Sequence, residues 1–306
     1  MDYSSSKIKG YLVSKKVLIT GSSGFIGKNL TTYLLDKKYH VYAILRNKRI
    51  NKLQSIKLKK EYKYFYPIFI DDVYEIKKKV SNLDVNIIIN LASKYLRSHN
   101  YLQMIDLINS NILFTSSVLE AFPKNKLKKY INLTSVMIHK NSEDYHPQNL
   151  YAATKKSFLD ILKFYQITNR HIKFYNLFLH DIYGKNDYRE KIIHTIVKNQ
   201  KANKKVRINS KKLALNLLNV NDINQAISLI INKEIKSGDY IIKSKNFTNM
   251  VKLIKQLNQK IDKKIKFEIL DNKIEKKIKK RIKTLPYWKQ KFTIEKDLLE
   301  YINENN

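Results

Sequence analysis

The sequence predicts an α/β fold, a doubly wound parallel sheet followed by a smaller C-terminal α/β cap, and three observations carry that expectation. Strand-like and helix-like segments alternate through the first half of the 306-residue chain, the pattern of a parallel sheet covered by helices on both faces. The run Val17-Leu18-Ile19-Thr20 leads into Gly21-Ser22-Ser23-Gly24-Phe25-Ile26-Gly27, a buried strand turning tightly into a helix N-terminus. A hydrophobic content of 43% supplies core enough for one large α/β unit or two domains.

Val17–Thr20 is the first expected strand and Lys28–Asp36 its helix. Between them, Gly21 allows the turn, Gly24 lets a backbone approach phosphates, and Gly27 lets the helix pack on the strand. The helix start offers unpaired N–H groups and a positive dipole end to an anion. Strands follow at His40–Leu45, Tyr64–Ile70 and Val85–Leu91, the last almost unbroken in its apolar run. Ser110–Ala121 is helical, with Ile112, Leu113, Val118 and Leu119 on an apolar stripe. Tyr130–Leu133 is the fifth strand, Tyr151–Gln166 a helix and Ile172–Leu179 the sixth strand. After Gly184 the pattern is less regular: Lys191–Asn199 reads as helix, Lys204–Asn209 as extended, Asp222–Asn232 as helix and Tyr240–Lys243 as strand. Residues 1–184 are therefore assigned to the nucleotide-binding sheet. Residues 185–306 are assigned mostly to a substrate-binding cap, with 213–245 returning to the main sheet. Trp288 is expected to anchor the cap core.

Composition excludes several classes. No stretch of about 18 apolar residues exists, so no membrane-spanning helix is expected. Met1 to Lys16 lacks the apolar segment of a signal peptide. Cys is absent, which removes disulfides, thiolate metal sites and a Cys nucleophile, and agrees with a cytoplasmic location. His99, His139, His146 and His180 share no ligand spacing, so no metal site is expected. The formal charge of +34 invites a nucleic-acid reading. Its bases are mostly Lys, in a chain also crowded with Asn, Ile and Tyr, which is the bias of an AT-rich genome. The densest runs, Ile274 to Lys283 and Lys201 to Lys205, hold no interleaved aromatics for base stacking. The charge therefore predicts a solvated basic surface that attracts anionic substrates.

Arg46 ends the second strand, followed by Asn47, Lys48 and Arg49. In a βαβ nucleotide fold this position faces the adenosine ribose, where an acid bonds the 2′-hydroxyl and an Arg accommodates a 2′-phosphate. The guanidinium therefore favours NADP as cofactor, with NAD as the alternative. Asp72-Val73, beyond the third strand, is placed to meet the adenine. Ser135 lies just past the fifth strand, and Tyr151 and Lys155 sit four residues apart on one face of the next helix. A phenol with a pKa of about 10 needs a neighbouring ammonium to lower it. Ser135 then holds a carbonyl while Tyr151 moves a proton and nicotinamide a hydride. With 21 Tyr in the chain, this spacing gains its meaning from its place after the fifth strand.

At these residues the chain resembles the extended short-chain dehydrogenases/reductases, the NAD-dependent epimerase/dehydratase family, a Rossmann-type fold. The resemblance runs from about Lys16 to at least Ile231. It rests on Thr20-Gly21-Ser22-Ser23-Gly24-Phe25-Ile26-Gly27, on Asn90-Leu91-Ala92-Ser93, and on Asn111-Ile112-Leu113-Phe114-Thr115 followed by Leu119-Glu120-Ala121. Pro147 with Tyr151 and Lys155, Ile182-Tyr183-Gly184, and Val220-Asn221-Asp222-Ile223 complete it in the family's order. The resemblance implies Ser135, Tyr151 and Lys155 as catalytic residues. It implies Gly21, Ser23, Gly24, Phe25, Ile26, Gly27, Arg46, Asp72, Val73, Leu91, Ala92, Ser93 and Asn111, with Tyr151 and Lys155, as the cofactor shell. Ser93, Ser135, Asp181 and Arg189 would meet the substrate, a nucleotide-activated sugar held between sheet and cap. It also implies a homodimer through the helices Ser110–Ala121 and Tyr151–Gln166, whose surplus apolar positions are Phe114, Val118, Phe158, Leu162 and Tyr165.

The departures from the family pattern narrow the expected reaction. The family's sugar dehydratases carry Thr-Asp-Glu where this chain has Ser135-Val136-Met137, so an acid and base for dehydration are missing. Phe114 replaces a Gly, and Leu215-Asn216 stands where a basic residue usually contacts the diphosphate. The segments Asp181 to Arg189 and Leu285 to Trp288 are similar to the family's nucleotide-hexulose 4-reductases. The expected function is an NADP-dependent reductase of a 4-keto nucleotide sugar, serving deoxysugar synthesis for a surface polysaccharide. A nucleotide-sugar 4-epimerase with tightly bound NAD is the alternative. A non-catalytic RNA-binding member is the rival from another class, and the retained Ser135, Tyr151 and Lys155 argue against it.

Overall fold

Strands that are apolar on both sides need helices on both faces, and the chain supplies them. The computed structural model describes residues 15–140, 144–270 and 282–304; the segment 1–14 and most of the basic run Ile274 to Lys283 lie outside the described residues. In chain order the first half is β1 (Lys16–Thr20), α1 (Phe25–Asp36), β2 (His40–Leu45), α2 (Arg49–Glu61), β3 (Phe65–Phe69), α3 (Ile76–Val80) and β4 (Ile87–Asn90). Then come α4 (Tyr101–Ile108), α5 (Phe114–Ala121), β5 (Lys129–Ser135), α6 (Leu150–Thr168) and β6 (Lys173–Leu179). The remainder holds β7 (Asp181–Tyr183), α7 (Ile192–Lys201), β8 (Val206–Ile208), β9 (Ala214–Leu215), β10 (Leu217–Asn219) and α8 (Val220–Asn232). It closes with β11 (Gly238–Ile242), β12 (Thr248–Asn249), α9 (Met250–Asn258), β13 (Phe267–Ile269) and α10 (Ile294–Asn303).

Seven parallel strands form the main sheet in the order β11-β6-β5-β4-β1-β2-β3. The strand order reverses between β1 and β4, and ligands of such sheets bind in the crevice outside the C-terminal strand ends at that point. Alternate residues feed two cores: Val17 and Ile19 pack with α1 and α8, while Leu18 packs with α3, α5 and α6. A third core joins α7, α9 and α10 with β8 and β10 in the second half. Trp288 packs against the main-sheet core instead of the cap core, and its indole N–H donates to the Asp222 carbonyl at 3.0 Å.

A polar row crosses the apolar sheet. Thr20 donates to Asn90 (2.6 Å), Asn90 to Asn132 (3.0 Å), Asn132 to Asn176 (3.1 Å) and Asn176 to Asp239 (2.8 Å). These residues are paired neighbours on five adjacent strands. A one-residue slip of any strand would strand its amide in an apolar layer, so the row fixes register as well as satisfying itself.

Several expectations are corrected. The helices α2, α3 and α4 have no counterpart in the sequence reading. The expected helix Ser110–Ala121 is the second half of a longer one, α4 running through a π turn at Asn109–Leu113 into α5. Ser135 is the last residue of β5, which is longer than expected, and not a residue beyond it. Val118, Phe158 and Leu162 are fully buried against the sheet and leave nothing for a subunit contact. The exposed large apolar residues of these helices are instead Tyr101, Leu102, Ile108, Leu113, Phe164 and Ile167.

Candidate active site

The turn between β1 and α1 is shaped by what its glycines lack. Gly21 has φ +67°, and a Cβ there would stand 2.6 Å from the Ala92 nitrogen. A Cβ on Gly27 would stand 2.2 Å from the Gly21 oxygen. Gly24 begins α1 with no side-chain cap, so the first N–H groups of the helix point outward beside Ser23, Phe25 and Ile26. Thr20 ties the turn to the next loop, its hydroxyl accepting from the amides of Ala92 (3.1 Å) and Leu91 (3.2 Å). Ser22 ties it to β2, donating to the Ile44 carbonyl at 2.7 Å. Sequence reasoning assigned no role to either hydroxyl; the only signal was a polar residue at the end of an apolar strand.

Arg46 is exposed at the end of β2, on the same side of the sheet as the turn. Asp72 caps a short 3-10 turn, accepting from the Tyr74 amide at 3.1 Å, and Val73 packs against the core beside it. Asp71 accepts from the Asn47 amide at 3.0 Å and so joins the loops that follow β2 and β3.

Ser135 and Tyr151 meet above the end of β5, and Lys155 follows one turn further along α6. Asn149 caps α6, accepting from the Ala152 amide at 3.1 Å, and fixes the first turn, where Tyr151 lies. Ser93 and Ser135 face the Tyr151 hydroxyl and favour its phenolate, as does the charge of Arg189. Burial outweighs them and pushes the phenol up to about 12. The expected lowering is therefore not seen. Lys155 is 2% exposed, and burial pulls its ammonium down to about 8. Tyr95 packs edge-on against Tyr151 with ring centroids 5.0 Å apart.

Asn111 lies in the π turn and is fully buried. Its carbonyl oxygen accepts from the Lys94 amide (2.7 Å) and the Ser93 hydroxyl (3.2 Å). Its amide nitrogen donates to the Lys94 carbonyl (3.0 Å) and to Thr154 (2.9 Å). With its bonding capacity spent, Asn111 holds the Ser93 loop against α6 next to Lys155.

On the cap side, Asp181 lies 3.4 Å from the Lys191 ammonium. Arg189 is held more firmly. Its Nε and Nη2 both reach Asp187 at 2.7 Å, Nη2 also reaches the Ile182 carbonyl at 2.9 Å, and the guanidinium lies 4.3 Å over the Phe25 ring. A cleft of about 380 Å³ is lined by Tyr95, Arg97, Asp181, Lys191, Arg207 and Leu215 among others. Asn216 turns away from it and bonds both backbone groups of Ser244. A second cavity, of about 440 Å³, lies at the opposite end of the sheet among Lys15, Asp84 and Lys129 and holds none of these residues.

The family model for the NAD dependent epimerase/dehydratase family matches residues 17–242. The chain belongs to this family. It is similar to a CDP-abequose synthase of Yersinia pseudotuberculosis, 29% identical over 230 residues that cover 74% of this chain and 75% of the relative. It is similar to a dTDP-D-glucose 4,6-dehydratase of Dictyostelium discoideum, 28% identical over 74% of this chain and 57% of the relative. Among solved structures, a UDP-glucuronic acid 4-epimerase from Bacillus cereus in complex with UDP-glucuronic acid and NAD superimposes with a TM-score of 0.79. That pair is 21% identical, covers 94% of this chain and 99% of the other, and speaks for the fold alone.

This epimerase/dehydratase family member is thus an enzyme of the extended short-chain dehydrogenase/reductase type. Its own residues fit a nicotinamide dinucleotide. The spaces at Gly21 and Gly27 are ones a Cβ would fill, α1 is uncapped, and a buried Lys155 lies one helical turn from Tyr151 at the sheet's C-terminal edge.

Proposed function

We propose that the enzyme is an NADP-dependent reductase of a 4-keto nucleotide sugar. The likeness to the CDP-abequose synthase, across about three quarters of both chains, carries the reading. Arg46 supports NADP over NAD, since an exposed guanidinium at the end of β2 suits a phosphate dianion. We assign residues 1–184 to the cofactor and 185–306 mostly to the substrate.

When bound, the nicotinamide supplies the hydride. Ser135 donates a hydrogen bond to the sugar carbonyl oxygen, and Tyr151 protonates that oxygen as it gains charge. A phenol held at about 12 keeps its proton at neutral pH, which suits a donor. The Lys155 ammonium orients the cofactor ribose and stabilises the phenolate left behind. Asp181 and Arg189 border the sugar. Dehydration is not part of the proposal: Val136 is buried in an apolar cluster with Ile138 and Phe178, and Met137 has no titratable group.

The test is incubation with NADPH and a CDP- or dTDP-linked 4-keto-6-deoxyhexose. Stoichiometric loss of NADPH with a 4-hydroxy product by NMR is expected. Interconversion of 4-epimers with no net consumption of cofactor would replace this reading with the epimerase.

A further inference from the structure

The helix α2 is turned inside out with respect to its strongest apolar residues. Its sheet-facing side buries Asn51 (6% exposed) and Ser55 (4%) and packs Leu58 on the core, whereas Ile50, Leu53 and Ile56 are 58%, 54% and 55% exposed. At 100° per residue these three lie on the side opposite Asn51 and Ser55. A surface helix ordinarily does the reverse, because aliphatic area left in water is costly.

The same stretch is cationic beyond the chain's average. From Lys48 to Tyr64, seven of seventeen residues are Lys or Arg and one, Glu61, is acidic, against 60 basic residues in 306 overall. Composition alone does not explain that excess. None of the seven forms an ion pair with a described residue. The edge of the main sheet, where α2 lies next to β3, therefore presents aliphatic side chains set among cations without a carboxylate partner among the described residues, Lys63 alone lying over the Tyr64 ring.

We propose that this outer face of α2 docks the enzyme on an anionic lipid surface. Aliphatic side chains on a helix lying flat enter the acyl boundary, while flanking Lys stems extend to the lipid phosphates. A nucleic acid fits less well, since the exposed face of α2 carries no aromatic residue on which a base could stack.

Flotation of the full chain with phosphatidylcholine vesicles containing about 30% phosphatidylglycerol, in about 0.1 M salt, tests this. The enzyme should float with these vesicles and stay behind with pure phosphatidylcholine. The triple variant Ile50→Gln, Leu53→Gln, Ile56→Gln keeps every charge and should bind about tenfold more weakly. Leu53→Trp gives a second readout: its added fluorescence should shift to the blue on the anionic vesicles. Absence of vesicle binding, or a triple variant that binds as well as the parent, would overturn the proposal. So would an unshifted Trp emission, or loss of affinity for an RNA homopolymer in place of the vesicles.

Discussion

Tyr151 and Lys155 are displaced by burial in opposite directions, and each displacement has a consequence that can be measured. Tyr151→Phe removes the proton donor while keeping the ring that packs on Tyr95. Turnover of a 4-keto nucleotide sugar should fall by about 10²–10⁴ with NADPH affinity little changed. Turnover near that of the parent would take Tyr151 out of the mechanism. Lys155, drawn down to about 8, is an ammonium below that pH and an amine above it. The rate of reduction should therefore decline as pH rises through about 8, and Lys155→Met should abolish that limb along with most activity. The linkage to stability has a definite sign. The folded state binds fewer protons than the unfolded between about 8 and 10.5, so stability rises across that window and the burial cost, roughly 3 kcal/mol, is fully present at neutral pH. Lys155→Met should accordingly raise the melting temperature at pH 7 in calorimetry, and a lowered one would contradict the assigned burial cost. Arg46→Asp should erase a preference for NADPH over NADH of at least about tenfold, or about 1.4 kcal/mol. Equal dissociation constants for the two in the parent would assign Arg46 to the solvated surface.

At the scale of elements, the β1–α1 turn works because two backbones touch. Gly27→Ala would place a Cβ 2.2 Å from the Gly21 oxygen and 2.6 Å from the Ser22 Cα, both main-chain atoms that cannot rotate away. The turn must open, at a cost of about 1–3 kcal/mol in urea unfolding and with weakened NADPH binding. A Gly27→Ala protein that bound NADPH as the parent does would mean that the turn is not the phosphate cradle. The helix α2 shows the opposite relation between pattern and position. Ile50, Leu53 and Ile56 recur at helical spacing but face outward, and only Leu58 packs against the core, so this periodicity describes a surface.

At the scale of the whole molecule, an exposed apolar area separate from α2 lies on Leu113, at the turn joining α4 to α5, and on Phe164 and Ile167 of α6. Exposed aliphatic and aromatic side chains on adjacent helices are the mark of an interface. We expect a two-fold homodimer through these helices, giving a dimeric mass by light scattering at micromolar concentration. Leu113→Glu with Phe164→Glu should shift that mass to the monomer. A monomeric parent in moderate salt would discard the assembly.

The parallel sheet, the glycine turn and the spacing of Tyr151 and Lys155 were legible along the chain, because they depend on residues near one another in sequence. Nearly unbroken apolar runs and a Gly triplet after Thr20 are local signals, and the strands formed within a few residues of where those signals placed them. Only the tertiary structure decided what distant segments do to each other. It set Arg189 over Phe25 and spent Asn111 on Lys94 and Thr154. It turned Val118, Phe158 and Leu162 toward the sheet and Ile50, Leu53 and Ile56 away from it. It also reversed the expected direction for Tyr151, since the low dielectric around a phenol comes from the whole fold and not from the residue four positions away.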